Sequence, residues 1–332
     1  MLSYRLSCLF RIAGLDCLED GDMLAIGHAA PSLLLCGVGT GGAYCLGEDE
    51  GQKIHEPQDL PVLRDFGDSP VERDVGLDAD DVVLLAVKAQ DAAGALVGAE
   101  AAASVVCLQN GVATEPLAAT RAARVHAAMT WIPGVHLEPG VVEVHADPPL
   151  GAFRIGRYPD GPGAADELAH AIAYDLTTAG FDAAAVPDPM RWKRGKLLTN
   201  LGNVLDAFAV REPGLGELAR AASAEAVAVF TAAGLSYVPY DELLADMNAR
   251  VAFGATIDGR GRGGGSTWQS ATRGRSTEID ELNGWVCRRG AELGVPTPVN
   301  AALVRLAAAA TAPRSVPIAQ IRADIEAATA GA

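Results

Sequence analysis

A strand, a helix and a second strand follow one another between residues 82 and 111, and this pattern restricts the possible folds more than any other. VVLLAVKA (82–89) is an apolar run of strand length, the Ala-rich segment 91–103 is typical of a helix, and SVVCLQNG (104–111) is a second buried strand that ends in a turn. Strands joined by a crossover helix are parallel, and helices cover both faces of a parallel sheet. The pattern therefore predicts an α/β domain.

The character of the sequence changes after Pro189. Strand-like runs at 141–145 and 152–156 and a helix-like run at 164–179 continue the α/β pattern, whereas nearly every segment from Trp192 onward has helical periodicity. A chain of 332 residues with 49% hydrophobic residues is long enough for two domains, each with its own core. We predict a first domain over 1–187, of which 1–67 are atypical, and an all-α-helical domain over 188–332.

Charge and cysteine content exclude several classes of protein. The 26 Lys and Arg residues against 42 Asp and Glu residues give a net charge of −16, which opposes binding to nucleic acid. The six cysteines form no CxxC pair and no metal-ligand spacing with histidine, as expected of reduced cytosolic thiols without a metal. Residues 23–47 lack charged side chains, but Pro31 and several glycines argue against a membrane-spanning helix. We expect a cytoplasmic protein with no membrane partner.

A glycine motif precedes the clear α/β pattern. LLLCGVGTGG (33–42) satisfies G-x-G-x-x-G with Gly37, Gly39 and Gly42, directly after an apolar run. In dinucleotide-binding proteins this motif lets the backbone approach a pyrophosphate at a helix amino end. No amphipathic helix pattern follows here, although LPVLR (60–64) could form the next strand and bring Arg64 to a 2′-phosphate. The three glycines are the predicted phosphate-binding residues.

Two polar residues lie at the carboxyl ends of the predicted strands. Ligands of open parallel sheets bind beyond the carboxyl ends of the strands, where Lys88 and Asn110 lie. A lysine at the surface and an Asn-Gly turn are equally good explanations for these two positions.

A polar stripe runs along the predicted helix RWKRGKLLTNLGN (191–203). Each residue of an α-helix turns about 100° around the helix axis. Measured from Lys196, Asn200 lies at about 40°, Asn203 at about 340° and Trp192 at about 320°. The leucines occupy a separate arc. A solvated surface would explain the stripe, but asparagine is a poor helix former and a large indole is seldom fully exposed. We therefore predict a polar site that Lys196 and the two asparagines line.

Five segments together resemble the ketopantoate reductase family, also called the 2-dehydropantoate 2-reductases. They are VLLAVKAQD, LQNGVATE, WKRGKLLTN, STWQSATRGRSTEIDELNG and LGVPTPVN. The resemblance runs from about Val82 to the last helices, whereas residues 1–67 resemble the family poorly. It implies a Rossmann-type parallel-sheet domain that binds NADPH, followed by an all-α-helical domain, with the active site in the cleft between them.

The resemblance also implies roles for single residues. Lys196 corresponds to the general acid. Ser266 and Glu278, twelve residues apart, resemble residues that bind the carboxylate and hydroxyl ends of the substrate, and Glu278 is the second catalytic candidate. Glu278 is also explained as a first-turn carboxylate in a helix that Thr277 caps. The implied substrate-binding residues are Asn110, Asn200, Asn203 and Ser266, and the implied cofactor-binding residues are Lys88 and Asn110 together with Gly37, Gly39 and Gly42.

The implied function is the NADPH-dependent reduction of 2-dehydropantoate to pantoate, a step of pantothenate biosynthesis, or of a related branched 2-keto acid. The partner is thus a small 2-keto acid, and a homodimer is compatible with the sequence. The alternative is a degenerate family member that keeps the fold without dinucleotide binding and acts as a binding or structural protein.

Overall fold

The computed structural model describes residues 82–97, 104–138, 141–161, 163–257 and 259–330, together with the backbone of 23–29, 32–39 and 42–46. Contacts divide these residues into two compact units. Unit 1 holds the described residues up to Gln109, then Ala113–Met190 and Leu244–Arg262. Unit 2 holds Asn110–Val112, Arg191–Leu243 and the described residues from Gly263 onward. The domain boundary expected between residues 187 and 188 stays a prediction.

The strands of the described residues lie in unit 1. They are β1 (Met23–Ala29), β2 (Ser32–Gly39), β3 (Gly42–Leu46), β4 (Val82–Leu85), β5 (Ser104–Cys107), β6 (Val125–Trp131), β7 (Gly134–Glu138), β8 (Val141–Val144), β9 (Ala146–Asp147), β10 (Ala152–Tyr158), β11 (Asp182–Ala185) and β12 (Ala252–Phe253).

The α-helices of the described residues are mostly in the second half of the chain. They are α1 (Ala92–Ala95), α2 (Thr114–Ala118), α3 (Glu167–Thr178), α4 (Pro189–Asn200), α5 (Asn203–Phe208), α6 (Leu215–Ala232), α7 (Tyr240–Arg250), α8 (Ser266–Thr272), α9 (Asn283–Leu293), α10 (Pro298–Ala309) and α11 (Ile318–Ala330). Short 3₁₀ helices cover Ala89–Asp91 and Ile279–Glu281.

The main sheet has five strands in the order β11-β10-β6-β5-β4. The strands β4, β5 and β6 are parallel neighbours, which confirms the predicted parallel sheet, although β4 and β5 end about four residues earlier than predicted. By contrast, β10 runs antiparallel to β6, and β11 is parallel to β10. The described residues between β6 and β10 form the antiparallel pair β7 and β8 and contain no crossover helix, so the chain returns in the opposite direction.

Alternate side chains of the sheet pack against helices on both of its faces. Val82 and Leu84 of β4 belong to a core with Leu168 and Ile172 of α3. Their neighbours on the opposite face, such as Val83, pack into a second core with α1 and α2. All four residues of β4 are buried, as expected of a strand covered on both faces. The fold is therefore a Rossmann-type sheet with helices, followed by a helical part.

A buried chain of hydrogen bonds connects the amino ends of β5 and β6 with α3. The Ser104 hydroxyl lies 2.7 Å from Nδ1 of His126, and Nε2 of His126 lies 3.0 Å from Oδ1 of Asp166. Asp166 is the N-cap of α3 and accepts from the Ala169 backbone N–H. Burial lowers the pKa of His126 below its usual value. Burial raises the pKa of Asp166, but the hydrogen bonds from Ala169 and His126 outweigh it and leave that pKa below its usual value.

Glu225 organises the amino end of α10 in unit 2. Its carboxylate accepts hydrogen bonds from the backbone N–H groups of Val299 (2.7 Å) and Asn300 (2.9 Å). Pro298 occupies the first turn of the same helix, where the missing N–H costs nothing. The LGVPTPVN segment is thus explained as a helix start capped by a carboxylate from α6.

Candidate functional site

The polar stripe lies on α4, and its side chains are not fully solvated. Asn200 is 7% exposed, whereas Lys196 and Trp192 are half-buried. Lys193 is only 3% exposed. The predicted stripe did not include Lys193, although its position at about 60° places it on the same face of the helix. A simple surface helix would leave these side chains in water, so the burial argues against the solvated alternative.

The helix ends earlier than the periodicity predicts. The residue Asn200 closes α4, and after a turn at Leu201 and Gly202 a separate helix, α5, begins at Asn203. The prediction of one continuous helix through Asn203 was therefore wrong. A Cβ atom on Gly202 would lie 2.9 Å from Cβ of Ala219, so the glycine lets α6 approach closely at the interruption.

Asn203 lies beside the start of α8. Its Oδ1 atom is 3.7 Å from the position that a Cβ atom on Gly265 would take. Ser266, the next residue, is exposed and is the first residue of α8. Two of the predicted substrate-binding residues, which are distant in sequence, are thus carried by contacting segments.

The Asn110–Gly111 turn lies against the segment that contains Glu278. Gly111 has a φ of 84°, and a Cβ atom on it would lie 3.1 Å from the carbonyl oxygen of Glu281. Only glycine meets both conditions without strain. Glu278 itself is half-buried and is the N-cap of the 3₁₀ helix Ile279–Glu281, so the prediction that Thr277 caps this helix was wrong.

Asn283 links the end of α4 to α9 and α10. Its side-chain amide donates to the carbonyl oxygen of Leu201 (3.1 Å) and to Oδ1 of Asn300 (3.0 Å). Asn300 donates in turn to Ala222 and Glu225 of α6. Both asparagines are fully buried, so this network fixes the helix end that carries Asn200.

The predicted catalytic and substrate-binding residues therefore belong to one unit of the structure. Three contacts within unit 2 connect the segments that carry them: Asn283 with the end of α4, Asn203 with Gly265, and Gly111 with Glu281. Lys88 belongs to unit 1. The individual roles of these residues stay predictions.

The carboxyl ends of β4 and β5 offer polar groups that suit a nicotinamide cofactor. Lys88 is half-buried and is the N-cap of the 3₁₀ helix Ala89–Asp91. The Gln109 side chain donates to the carbonyl oxygens of Leu85 (2.8 Å) and Val87 (3.0 Å). Within the described part of the chain, its Oε1 atom is buried without a hydrogen-bond partner. A cation and a free acceptor at this edge fit the donors and phosphates of a dinucleotide.

The three predicted phosphate-binding glycines lie in a different backbone arrangement. The strands β1, β2 and β3 form an antiparallel sheet in which Gly37 is opposite Tyr44 and Gly39 is opposite Gly42. In dinucleotide-binding proteins the motif joins a strand to a helix, and the described backbone differs from that arrangement. Arg64 lies outside the described residues. The cofactor-binding role of the glycines stays a prediction.

Neither a membrane-spanning helix nor a metal-binding cluster occurs in the described ranges. No helix there combines the length and the apolar character that a membrane crossing requires. Nor does any group of three or more His, Cys, Asp or Glu side chains in those ranges lie in an arrangement that could hold a metal ion.

Comparisons with known proteins identify the family. Residues 50–160 match the family model described as ketopantoate reductase PanE/ApbA, and residues 197–311 match the model of its C-terminal part. The 2-dehydropantoate 2-reductase of Archaeoglobus fulgidus is 30% identical over 236 residues, which cover 68% of this chain and 75% of that protein. The chain therefore belongs to the ketopantoate reductase family, a family of oxidoreductases.

Solved structures share the fold at lower identity. D-mandelate dehydrogenase in complex with NADH is 21% identical, with a TM-score of 0.55 over 70% of this chain and 78% of that one. A dimeric ketopantoate reductase from Staphylococcus aureus is 20% identical, with a TM-score of 0.53 over 77% of this chain and 80% of that one. At these identities the similarity supports the fold alone.

Proposed function

We propose that this chain is an NADPH-dependent reductase that converts 2-dehydropantoate to pantoate, or that acts on a related branched 2-keto acid. The observation that supports the proposal is the convergence of the Lys196, Asn203, Ser266, Glu278 and Asn110 segments within unit 2. The Archaeoglobus relative carries the same activity in its name. All of the named relatives are enzymes, so they give no support to the alternative of a degenerate binding protein.

The proposed chemistry divides between a cofactor and this chain. A bound reduced nicotinamide supplies a hydride to the keto carbon of the substrate. The Lys196 ammonium faces the keto oxygen, stabilises the negative charge that develops there and donates the proton that completes the hydroxyl group. Asn200 and Asn203 hold the substrate by amide hydrogen bonds, Ser266 binds its carboxylate, and Glu278 binds its hydroxyl end.

Cofactor binding in this proposal relies on Lys88 and Asn110 at the strand ends. Lys88 would attract a phosphate, and Asn110 would hydrogen-bond near the nicotinamide. The NADH complex of D-mandelate dehydrogenase supports a nicotinamide dinucleotide, and we propose NADPH. We propose a cytoplasmic location because the six cysteines of the sequence show no pairing pattern, and the dimeric relative supports a homodimer.

The test is cofactor oxidation with purified protein and a panel of 2-keto acids. We expect NADPH to be oxidised when 2-dehydropantoate or another branched 2-keto acid is added. With the same substrate, the kcat/KM for NADPH should be higher than that for NADH. The product must be the 2-hydroxy acid, formed in equal amount to the oxidised cofactor. An absence of turnover with every 2-keto acid and both cofactors would contradict the proposal.

A further inference from the structure

The Asp206 carboxylate holds the residue that precedes Ser266. Asp206 lies one turn after Asn203 on α5, and its Oδ2 atom accepts a 2.9 Å hydrogen bond from the backbone N–H of Gly265. Gly265 is the N-cap of α8, and Ser266 follows it directly. The position of the Ser266 backbone therefore depends on this carboxylate.

Two arginines connect the same carboxylate to the preceding loop. The Nη2 atom of Arg314 donates to Oδ1 of Asp206 (3.2 Å) and to the carbonyl oxygen of Gly263 (2.8 Å). Arg211 makes the same two contacts at 3.5 and 3.0 Å. The Arg314 side chain is 25% exposed and that of Arg211 is 63% exposed. Water therefore screens the Arg314 contacts less, and we expect Arg314 to contribute more.

The geometry of Arg314 is itself held by its surroundings. Its backbone has a φ of 52°, in the left-handed region, and no other non-glycine residue of the described part of the chain has a positive φ. Its backbone N–H donates to Ala207, its Nε donates to the carbonyl oxygen of Asp206 (3.2 Å), and its guanidinium lies 4.7 Å from the centre of the Trp268 ring. A left-handed arginine is strained and persists only where the neighbouring structure fixes it.

The glycines of the loop accommodate this arrangement. Gly263 has a φ of 77°, and a Cβ atom on Gly264 would lie 2.6 Å from the Trp268 ring. The loop therefore packs closely under the indole on which the Arg314 guanidinium stacks. This packing explains Gly263 and Gly264 in the glycine-rich run before Ser266.

We propose that Asp206 and Arg314 are positioning residues that fix Ser266 for the carboxylate of a 2-keto acid. The inference rests on the proposed function, because it assigns the substrate's carboxylate to Ser266. If Arg314 has this role, the segment after α10 that carries it contributes to the active site. The two residues do not touch the substrate and act through Gly263 and Gly265.

Steady-state kinetics test this role. We expect Asp206→Ala and Arg314→Ala to raise the KM for the 2-keto acid about tenfold, with a smaller change in kcat and an unchanged KM for NADPH. Asp206→Asn keeps an acceptor for the Gly265 N–H, so its KM should rise only about threefold. The matched control is Arg322→Ala, which removes an exposed 2.9 Å ion pair with Glu217 in the same unit. A KM for Asp206→Ala within about twofold of wild type would overturn the inference.

Hydrogen exchange separates this inference from the proposed function. In Asp206→Ala and Arg314→Ala, the backbone amides of 263–268 should exchange about tenfold faster than in wild type, because their anchor is lost. Arg322→Ala should leave them unchanged. If the wild-type protein reduces no 2-keto acid, the proposed function fails, and the exchange rates still decide whether Asp206 and Arg314 hold this loop. Unchanged exchange in both variants would overturn the inference.

Discussion

Lys196 is half-buried on α4, one turn before Asn200, and we expect Lys196→Ala to lower kcat about 10²- to 10⁴-fold. The reason is that one ammonium both stabilises the developing alkoxide and donates the proton. NADPH affinity should change little, because the variant keeps the groups that we assign to the cofactor. Stopped-flow turnover and a fluorescence titration with NADPH measure the two effects.

Arg194→Ala is the control for Lys196→Ala. Arg194 lies on the same helix, and its guanidinium donates to the carbonyl oxygen of Ser236 at 2.7 Å. Losing that contact should lower the thermal midpoint slightly and leave kcat unchanged. A folded Lys196→Ala protein that keeps more than about half of the wild-type kcat would exclude Lys196 as the general acid.

Some residues of the site were predictable, and others were not. Helical periodicity was sufficient to place Lys196 and Asn200 on one face, because both belong to the same helix. Asp206 and Arg314 are 108 residues apart, and their contact arises only from tertiary packing. Lys193 had the right helical angle, but its burial depends on neighbouring elements that periodicity does not describe.

Helix α4 packs closely on the segment before α7, and Gly195→Ala tests that contact. A Cβ atom on Gly195 would lie 2.6 Å from the carbonyl oxygen of Val238, a backbone atom that cannot rotate away. Val238 also donates to Arg191 at the start of the same helix. We expect a loss of about 1–3 kcal/mol of stability, although alanine is the better helix former. Urea denaturation measures the loss.

The same substitution should also lower kcat, because moving α4 displaces Lys196, the next residue. Gly216→Ala on α6 is the matched control, since Gly216 is exposed and the added Cβ would meet Arg220 at an ordinary 3.5 Å. That variant should be as stable as wild type or slightly more stable. If Gly195→Ala and Gly216→Ala have the same stability and the same kcat, the packing of α4 against Val238 does not position the site.

The elements themselves differ in how far the sequence determines them. Apolar runs of strand length predicted the existence of β4 and β5, because both faces of these strands are buried, but they placed the carboxyl ends about four residues too late. The reversal of β10 was not visible, since a strand has the same pattern in either direction. The motif G-x-G-x-x-G alone does not distinguish a phosphate loop from the strands β2 and β3, because glycine is compatible with both.

We expect the stability of the protein to depend on His126, which joins β6 to α3 through Asp166. The neutral imidazole donates from Nε2 to the carboxylate, so Nδ1 accepts from the Ser104 hydroxyl. Burial lowers the pKa of His126 below 6.5, and the charges of Arg124 and Arg157 act in the same direction. The unfolded chain therefore binds a proton more readily than the native protein does.

The sign of the pH dependence follows from this difference in proton binding. The stabilisation is fully present above 6.5, the usual pKa of histidine, and is lost as the pH falls below 6.5 toward the native pKa of His126. Urea denaturation between about pH 8 and about pH 5 should show this loss in wild type. His126→Gln should be less stable at about pH 8, yet lose less stability on acidification. His170→Gln, at an exposed position on α3, should behave as wild type does. If the free energy of unfolding falls by the same amount on acidification in His126→Gln and in wild type, another group causes the acid sensitivity.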